Sequence, residues 1–182
     1  MRLTLRLLLL ALTACCRKKN CSLTDESVLR LWVFPWDCIV RFVGNDRYHA
    51  YMDLGRVDLI LRIGWGKIIW KNNWAPFVRT ADIQYRQPLR MFQRFNLRTR
   101  IIYWDEYHFW MEHVFERKGQ ILSIALSKNV AKGKKGPVAT QEAIRQLKRV
   151  VLKPAPPKAV QSIIDIESSL ATLQKTAILA TR

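Results

Sequence analysis

Acidic residues are scarce in this chain. Its 182 residues include 14 Asp and Glu against 31 Lys and Arg, a formal net charge of +17 with a pI near 10.3. None of those acids lies in residues 1–24. Such a surplus predicts anionic partners, whether nucleic acid, anionic lipid or a phosphate-bearing small molecule, and charge alone does not choose among them. Cysteine is sparse too: Cys15, Cys16, Cys21 and Cys38 fit no CxxC or CxxH spacing. That argues against a structural metal site and predicts reduced thiols rather than a disulfide framework. The longest early apolar run, Leu7 to Leu12, falls short of the roughly 20 residues of a spanning helix. No Ser-His-Asp set, Gly-rich phosphate loop or internal repeat is visible. A content of 49% hydrophobic and 10% aromatic residues excludes disorder and suits one domain with a real core.

What the chain does have is a long helix. Asn45 to Ile63 places Tyr48, Met52, Gly55 and Leu59 at spacings of four, three and four, widened by Tyr51, Leu54 and Leu61 into one apolar stripe. Asn45 is read as its N-cap. Gly55 in mid-helix costs roughly 1 kcal/mol against Ala, so a neighbouring backbone is expected close to it.

Three segments are delimited. Residues 1–21 run from Arg2 and Arg6 through the leucines to Arg17-Lys18-Lys19. They are compatible with an export or lipoprotein signal, a mitochondrial presequence, a helix packed on its own domain, or a retained helix lying on an anionic membrane surface. The basic cluster after the apolar run favours the last. The expected location is therefore peripheral on a membrane, on the cytoplasmic side, with the mitochondrion as the alternative.

Residues 22–152 form the main domain. Val28 to Val43 reads as a strand with Pro35 in it, at a sheet edge or bulged. After the long helix, Lys67 to Trp70 makes one more turn. Ala75–Arg86, Phe95–Trp104, Tyr107–Arg117 and Gln120–Val130 follow as strands with short turns, an antiparallel meander. Phe95, Leu97, Thr99, Ile101 and Tyr103 share one face. Lys132 to Pro137 reads as a flexible basic loop, and Thr140 to Val151 as a short helix capped by Thr140. Residues 153–182 are a Pro-rich linker and a weakly amphipathic helix, Val160 to Ala180, outside the core. The order predicts an α+β hot-dog fold: a curved antiparallel sheet wrapped around one long central helix, with an apolar N-terminal helix and an extra C-terminal one. Other α+β sheets fit the pattern as well.

Gly44-Asn45-Asp46-Arg47-Tyr48 and Met52-Asp53-Leu54-Gly55-Arg56-Val57-Asp58 resemble a segment of the acyl-CoA thioesterase superfamily, in the branch related to 4-hydroxybenzoyl-CoA thioesterase. Members carry D-x-D-x-x-x-H-x-N-N-x-R-Y, then a helix that often reads M-D-L-G-R. Ile83-Gln84-Tyr85-Arg86, Phe92-Gln93-Arg94-Phe95, Trp104-Asp105-Glu106 and Phe115-Glu116-Arg117 continue the likeness over residues 22–140. The chain departs from the motif where it matters. The family's His falls on Phe42, its first Asn on Gly44 and its second Asp on Cys38, so matching Asp37 to a family acid requires a one-residue shift.

The resemblance implies hydrolysis of a fatty acyl-CoA or related thioester, with no cofactor and no metal. Hydrolysis needs a carboxylate as base or nucleophile and a donor for the oxyanion. Asp37, Asn45, Asp53 and Tyr48 are the catalytic candidates. Lys128, Lys132, Lys134, Arg79 and Arg86 are the candidates for coenzyme A phosphates, beside the glycines of the 132–137 loop. Each has a plainer reading: Asn45 as cap, Asp37 as turn residue, Asp53 paired with Arg56 or Arg47, Tyr48 as core, the cations as a solvated face. None of the three histidines is assigned a role. Relatives pair sheet edges, so a homodimer or homotetramer is implied. Phe42, Gly44 and the extra C-terminal helix favour the alternative, a non-catalytic hot-dog subunit of a larger membrane or mitochondrial assembly. Nucleic-acid binding is disfavoured, because the meander's aromatics alternate as a buried face would.

Overall fold

The computed structural model describes Arg6, Leu7 and Leu10, residues 22–148 and residues 151–180. The expectations for residues 1–21, apart from those three, and for Cys15, Cys16 and Cys21 fall outside the described residues. Arg6, Leu7 and Leu10 are helical.

In chain order the elements are β1 (Ser27–Trp32), β2 (Cys38–Ile39), β3 (Phe42–Val43), α1 (Asn45–Ile63), α2 (Trp65–Asn72), β4 (Ala75–Tyr85), β5 (Arg94–Trp104), β6 (His108–Arg117), β7 (Gln120–Gly133), β8 (Gly136–Pro137), α3 (Thr140–Arg145) and α4 (Lys158–Ala180). The main sheet runs β1-β5-β6-β7-β4 with β8 on β7, antiparallel throughout. It curls around α1 in the hot-dog arrangement. The α1 stripe is buried as the spacing required, with Tyr48, Tyr51, Met52, Leu54 and Leu59 shielded from solvent. Each such apolar side chain contributes about 1.5–3 kcal/mol. Opposite them, Phe95, Leu97, Thr99 and Ile101 of β5 and Phe109, Met111, His113 and Phe115 of β6 turn inward. Gly55 is where helix and sheet come closest. A Cβ there would collide with Thr99 Oγ1 and lie 3.0 Å from Leu97 Cδ2, so side chains of β5, not a neighbouring backbone, exclude anything larger.

Several local expectations are corrected. The segment from Val28 to Val43 is not one strand. Pro35 opens a 3-10 turn through Asp37, and a two-residue hairpin follows, leaving β1 as the sheet's edge. A proline cannot donate to a ladder, and its fixed φ starts such a turn readily. Tyr103 leaves the inner face because β5 and β6 shift register between Ile101 and Tyr103, and one bulged residue reverses the alternation. The helix after α1 spans eight residues. The basic 132–137 loop is a tight β7–β8 hairpin. Thr140 is not a cap: it is inside α3, its hydroxyl donates to the Asp105 carbonyl at 2.6 Å, and the helix stops at Arg145.

The C-terminal helix does more than extend outward. Val160 and Ile163 of α4 pack on Trp110 across the outer face of the sheet, joined by Ile102, Tyr103 and Leu126. Lys153 over the Tyr103 ring, at 5.1 Å, pins the linker nearby. Among the described residues, no helix is long and apolar enough to cross a membrane.

A polar seam crosses the inner face. Buried His113 meets Thr99 Oγ1 through Nδ1 at 3.2 Å and Ser127 Oγ through Nε2 at 3.0 Å, and Asn129 Nδ2 donates to the same Ser127 hydroxyl. Burial, helped by the Arg56 charge, pushes the imidazole well below its usual 6.5. The unfolded chain therefore binds a proton that the folded one refuses, and stability must fall as pH drops below 6.5. Urea midpoints measured at about pH 7.5 and 5.5 should show this loss, and His113→Gln should flatten the slope in that window.

Candidate active site

The start of α1 differs from the sequence expectation. Gly44, extended at φ −67° and ψ 149°, is the N-cap, and Asn45 is already the first helical residue. Its exposed side chain makes no capping bond. The buried Gly44 N–H donates to the Asp37 carbonyl at 3.2 Å, which ties the 3-10 turn to the helix entry.

Asp37 lies 3% exposed beneath that turn. Its Oδ2 accepts the Phe34 N–H at 3.0 Å and the Arg6 guanidinium at 2.6 Å. Arg6 also lies over the Phe34 ring at 5.1 Å and the Tyr51 ring at 5.3 Å. Burial first, then the Asp37 charge, raises the Tyr51 hydroxyl far above its usual range, against the opposing Arg6 charge. Cys38, at the position of the family's second acid, has its thiol raised by burial and by Asp37, so it stays protonated at neutral pH. Tyr48 is core: its hydroxyl accepts the Leu89 N–H at 3.1 Å, and its ring meets Tyr85 and Phe115 edge-on. Burial raises its ionisation as well. This end of α1 is closed by the Arg6–Asp37 ion pair.

Asp53, two turns along, is placed differently. With Arg56, Val57, Ile60, Phe77, Val78 and Asn129 it lines a cavity of about 260 Å³ between α1 and the β4–β7 edge of the sheet. Leu7 closes another part of the wall. The Asp53 carboxylate pairs with Arg56 one turn on. Two buried polar atoms of this wall have no hydrogen-bond partner among the described residues, Arg56 Nη1 and Asn129 Oδ1. Orphaned buried polar groups are rare because each costs about 1–3 kcal/mol. A donor and an acceptor beside a half-exposed carboxylate can polarise a carbonyl and orient a water. Sequence reading missed Arg56 and Asn129 as site residues. The visible signal was the inward run of Ser123, Ser127 and Asn129 on β7, polar where the core should be apolar.

The phosphate candidates scatter. Lys132 lies over the Phe77 ring at 5.3 Å, at the cavity wall. Exposed Arg79 sits on the β4 bulge next to Val78. Lys134 is exposed in the β7–β8 turn, and Arg86 is exposed beyond the far end of β4. Lys128 is committed elsewhere, paired with Glu167 of α4 at 2.5 Å and lying over Trp110.

Comparison with known proteins is consistent with the geometry. A model of the thioesterase-like superfamily matches residues 35–161. A probable thioesterase of Saccharomyces cerevisiae is 26% identical over 121 residues, covering 64% of this chain and 52% of its own length. Protein THEM6 of Danio rerio is 32% identical over 133 residues, covering 71% of this chain and 66% of its own. The chain thus spans about half to two thirds of the length of these curated relatives. Among solved structures, a probable thioesterase from Bartonella henselae superposes with a TM-score of 0.58 at 18% identity, over 63% of this chain and 98% of that one.

The Arg6–Asp37 pair has a direct consequence for stability. Arg6→Met keeps the apolar stem but leaves a buried carboxylate with one backbone donor, and is expected to cost about 2–4 kcal/mol in urea unfolding. An unchanged midpoint would show that the pair contributes nothing.

Proposed function

Since the chain belongs to the thioesterase-like superfamily, we propose that it hydrolyses a fatty acyl-CoA or related acyl thioester to free acid and thiol, with Asp53 as the working carboxylate. The observation that carries this reading is the cavity in which Asp53 stands beside the unpartnered Arg56 Nη1 and Asn129 Oδ1. In the reaction Asp53 takes a proton from water as hydroxide adds to the thioester carbonyl carbon. The Arg56 N–H stabilises the oxyanion that forms, and Asn129 Oδ1 accepts the remaining water hydrogen to aim the attack. Collapse of the tetrahedral intermediate breaks the C–S bond, and the thiolate leaves with the proton held by Asp53. Water is the only co-reactant, so no cofactor is required. The walls formed by Val57, Ile60, Phe77 and Val78 suit an acyl chain, and Lys132 over Phe77 and exposed Arg79 beside Val78 are assigned in this proposal to coenzyme A phosphates.

A homodimer belongs to the same proposal. The eleven-residue strand β4 is the last in the sheet order and has a free edge among the described residues, next to the cavity. Edges of this length invite pairing. The leucines and basic residues of 1–21 support a peripheral membrane location on the cytoplasmic side, with the mitochondrion as the alternative.

A second reading has its own support. Asp37 is ion-paired with Arg6, Phe42 and Gly44 replace the family's His and Asn, and the protonated Cys38 stands where its second Asp belongs. A binding or structural subunit of a larger membrane or mitochondrial assembly would look like this at the entry of α1.

One assay separates the readings: thiol release from a panel of acyl-CoA esters by the full chain. Asp53→Asn is expected to lower kcat by about 10²–10⁴ and Arg56→Lys by about 10²–10³, while Asp37→Asn keeps its turnover. Loss in Asp37→Asn alone would move the chemistry to the helix entry, and no turnover at any chain length by the folded chain would favour the subunit reading. Sedimentation should give a dimer at micromolar concentration; a monomer throughout would remove the edge-pairing proposal.

A further inference from the structure

The end of the molecule around the β2–β3 hairpin is apolar at its tips and basic behind them. Val40 at the hairpin apex is 82% exposed and Ile39 beside it 72%, and Phe92, at the apex of the turn before β5, is 62% exposed. The two apices belong to one surface. Phe42 bridges to Arg90, the Met91 N–H donates to the Arg41 carbonyl, and the Phe92 N–H donates to the Val33 carbonyl. Both apex residues hold a left-handed backbone, Val40 at φ 60° and Phe92 at φ 61°. That conformation is unfavourable for a β-branched or bulky side chain, and Asn or Gly would relieve it. Two bulky apolar residues are thus kept in water at strained positions where a polar residue would fold better.

Behind the tips lies a ladder of aromatic rings. Phe34 stacks between Trp32 and Trp36, with centroids 5.9 and 4.9 Å away, and both tryptophans are exposed. Arginines cover these rings: Arg94 sits over Trp32 at 4.8 Å and Arg90 over Phe42 at 5.6 Å. Beside the ladder an open groove of about 650 Å³ is lined by Arg30, Arg94, Arg117 and Lys118, and its acidic lining residue, Glu116, is held by Arg98 at 3.0 Å. Arg6, from the acid-free first 24 residues, packs on this same end through the Phe34 ring.

We infer that this end of the folded domain is a membrane-docking surface for an anionic lipid bilayer. Val40, Ile39 and Phe92 enter the acyl boundary, Trp32 and Trp36 lie at headgroup level, and Arg30, Arg94 and Lys118 meet lipid phosphates. Protruding apolar tips ringed by tryptophan and arginine match the layering of a lipid interface. The inference concerns the folded domain rather than residues 1–21, and it does not depend on the hydrolase reading.

The test is flotation of the full chain with phosphatidylcholine vesicles containing about 30% phosphatidylserine, comparing wild type with the double variant Val40→Asn, Phe92→Asn. Asn tolerates the left-handed backbone, so the variant should be at least as stable as wild type while residues 1–21 are unchanged. About tenfold weaker vesicle binding in the variant is expected, with wild-type binding reduced by high salt. Equal binding by the two proteins, or none by wild type, overturns the inference. So does an unchanged lipid affinity accompanied by a change in oligomeric state, which would make the surface a contact between copies of the chain.

Discussion

The contact of Gly55 with β5 is the constraint on which the rest of the structure depends. A helix can be wrapped by a sheet only if some point of its surface lets the strands approach, and here Thr99 and Leu97 occupy the space a Cβ would need. The approach sets the curvature that closes β5, β6 and β7 over α1. It also brings the polar seam of Thr99, His113 and Ser127 beneath the helix, beside the Arg56 charge. Close packing and the electrostatics of the cavity therefore share one origin.

Asp37 and Asp53 receive opposite environments from this geometry. Asp37 lies under the helix entry, where burial without a cation would be prohibitive, and Arg6 supplies the cation. Asp53 lies on the open side, half in solvent and facing a cavity. A buried acid paired with a cation braces the helix entry; a half-exposed one at a cavity wall stays open to solvent.

The fold was legible because its signals are local and repetitive. The 3.6-residue stripe of α1 and the shared face of Phe95, Leu97, Thr99 and Ile101 in β5 survive into the structure, whereas β6 buries Trp110 and Val114 on its other face as well. Local signals failed where one residue altered the count: Pro35 broke a strand, and the bulge before Tyr103 moved it to the outer face. Asn45 failed as a cap because Gly44 took the extended position first. Lys128, a phosphate candidate in the sequence, is paired with Glu167, which α4 brings to it from 30 or more residues later.

By itself the sequence determined the order of the long helix and the strands that follow it, the buried stripe of that helix and the inner face of β5, the excess of positive charge and the likeness to a thioester-hydrolysing family. Those follow from periodicity, composition and a motif of adjacent residues. Tertiary structure alone decided which acid is buried and which is available. Arg6 reaches Asp37 across 31 positions of chain, and Asn129 joins Asp53 only because β7 folds back beside the helix. Pairing of this kind depends on distance in space, which spacing along a chain does not encode.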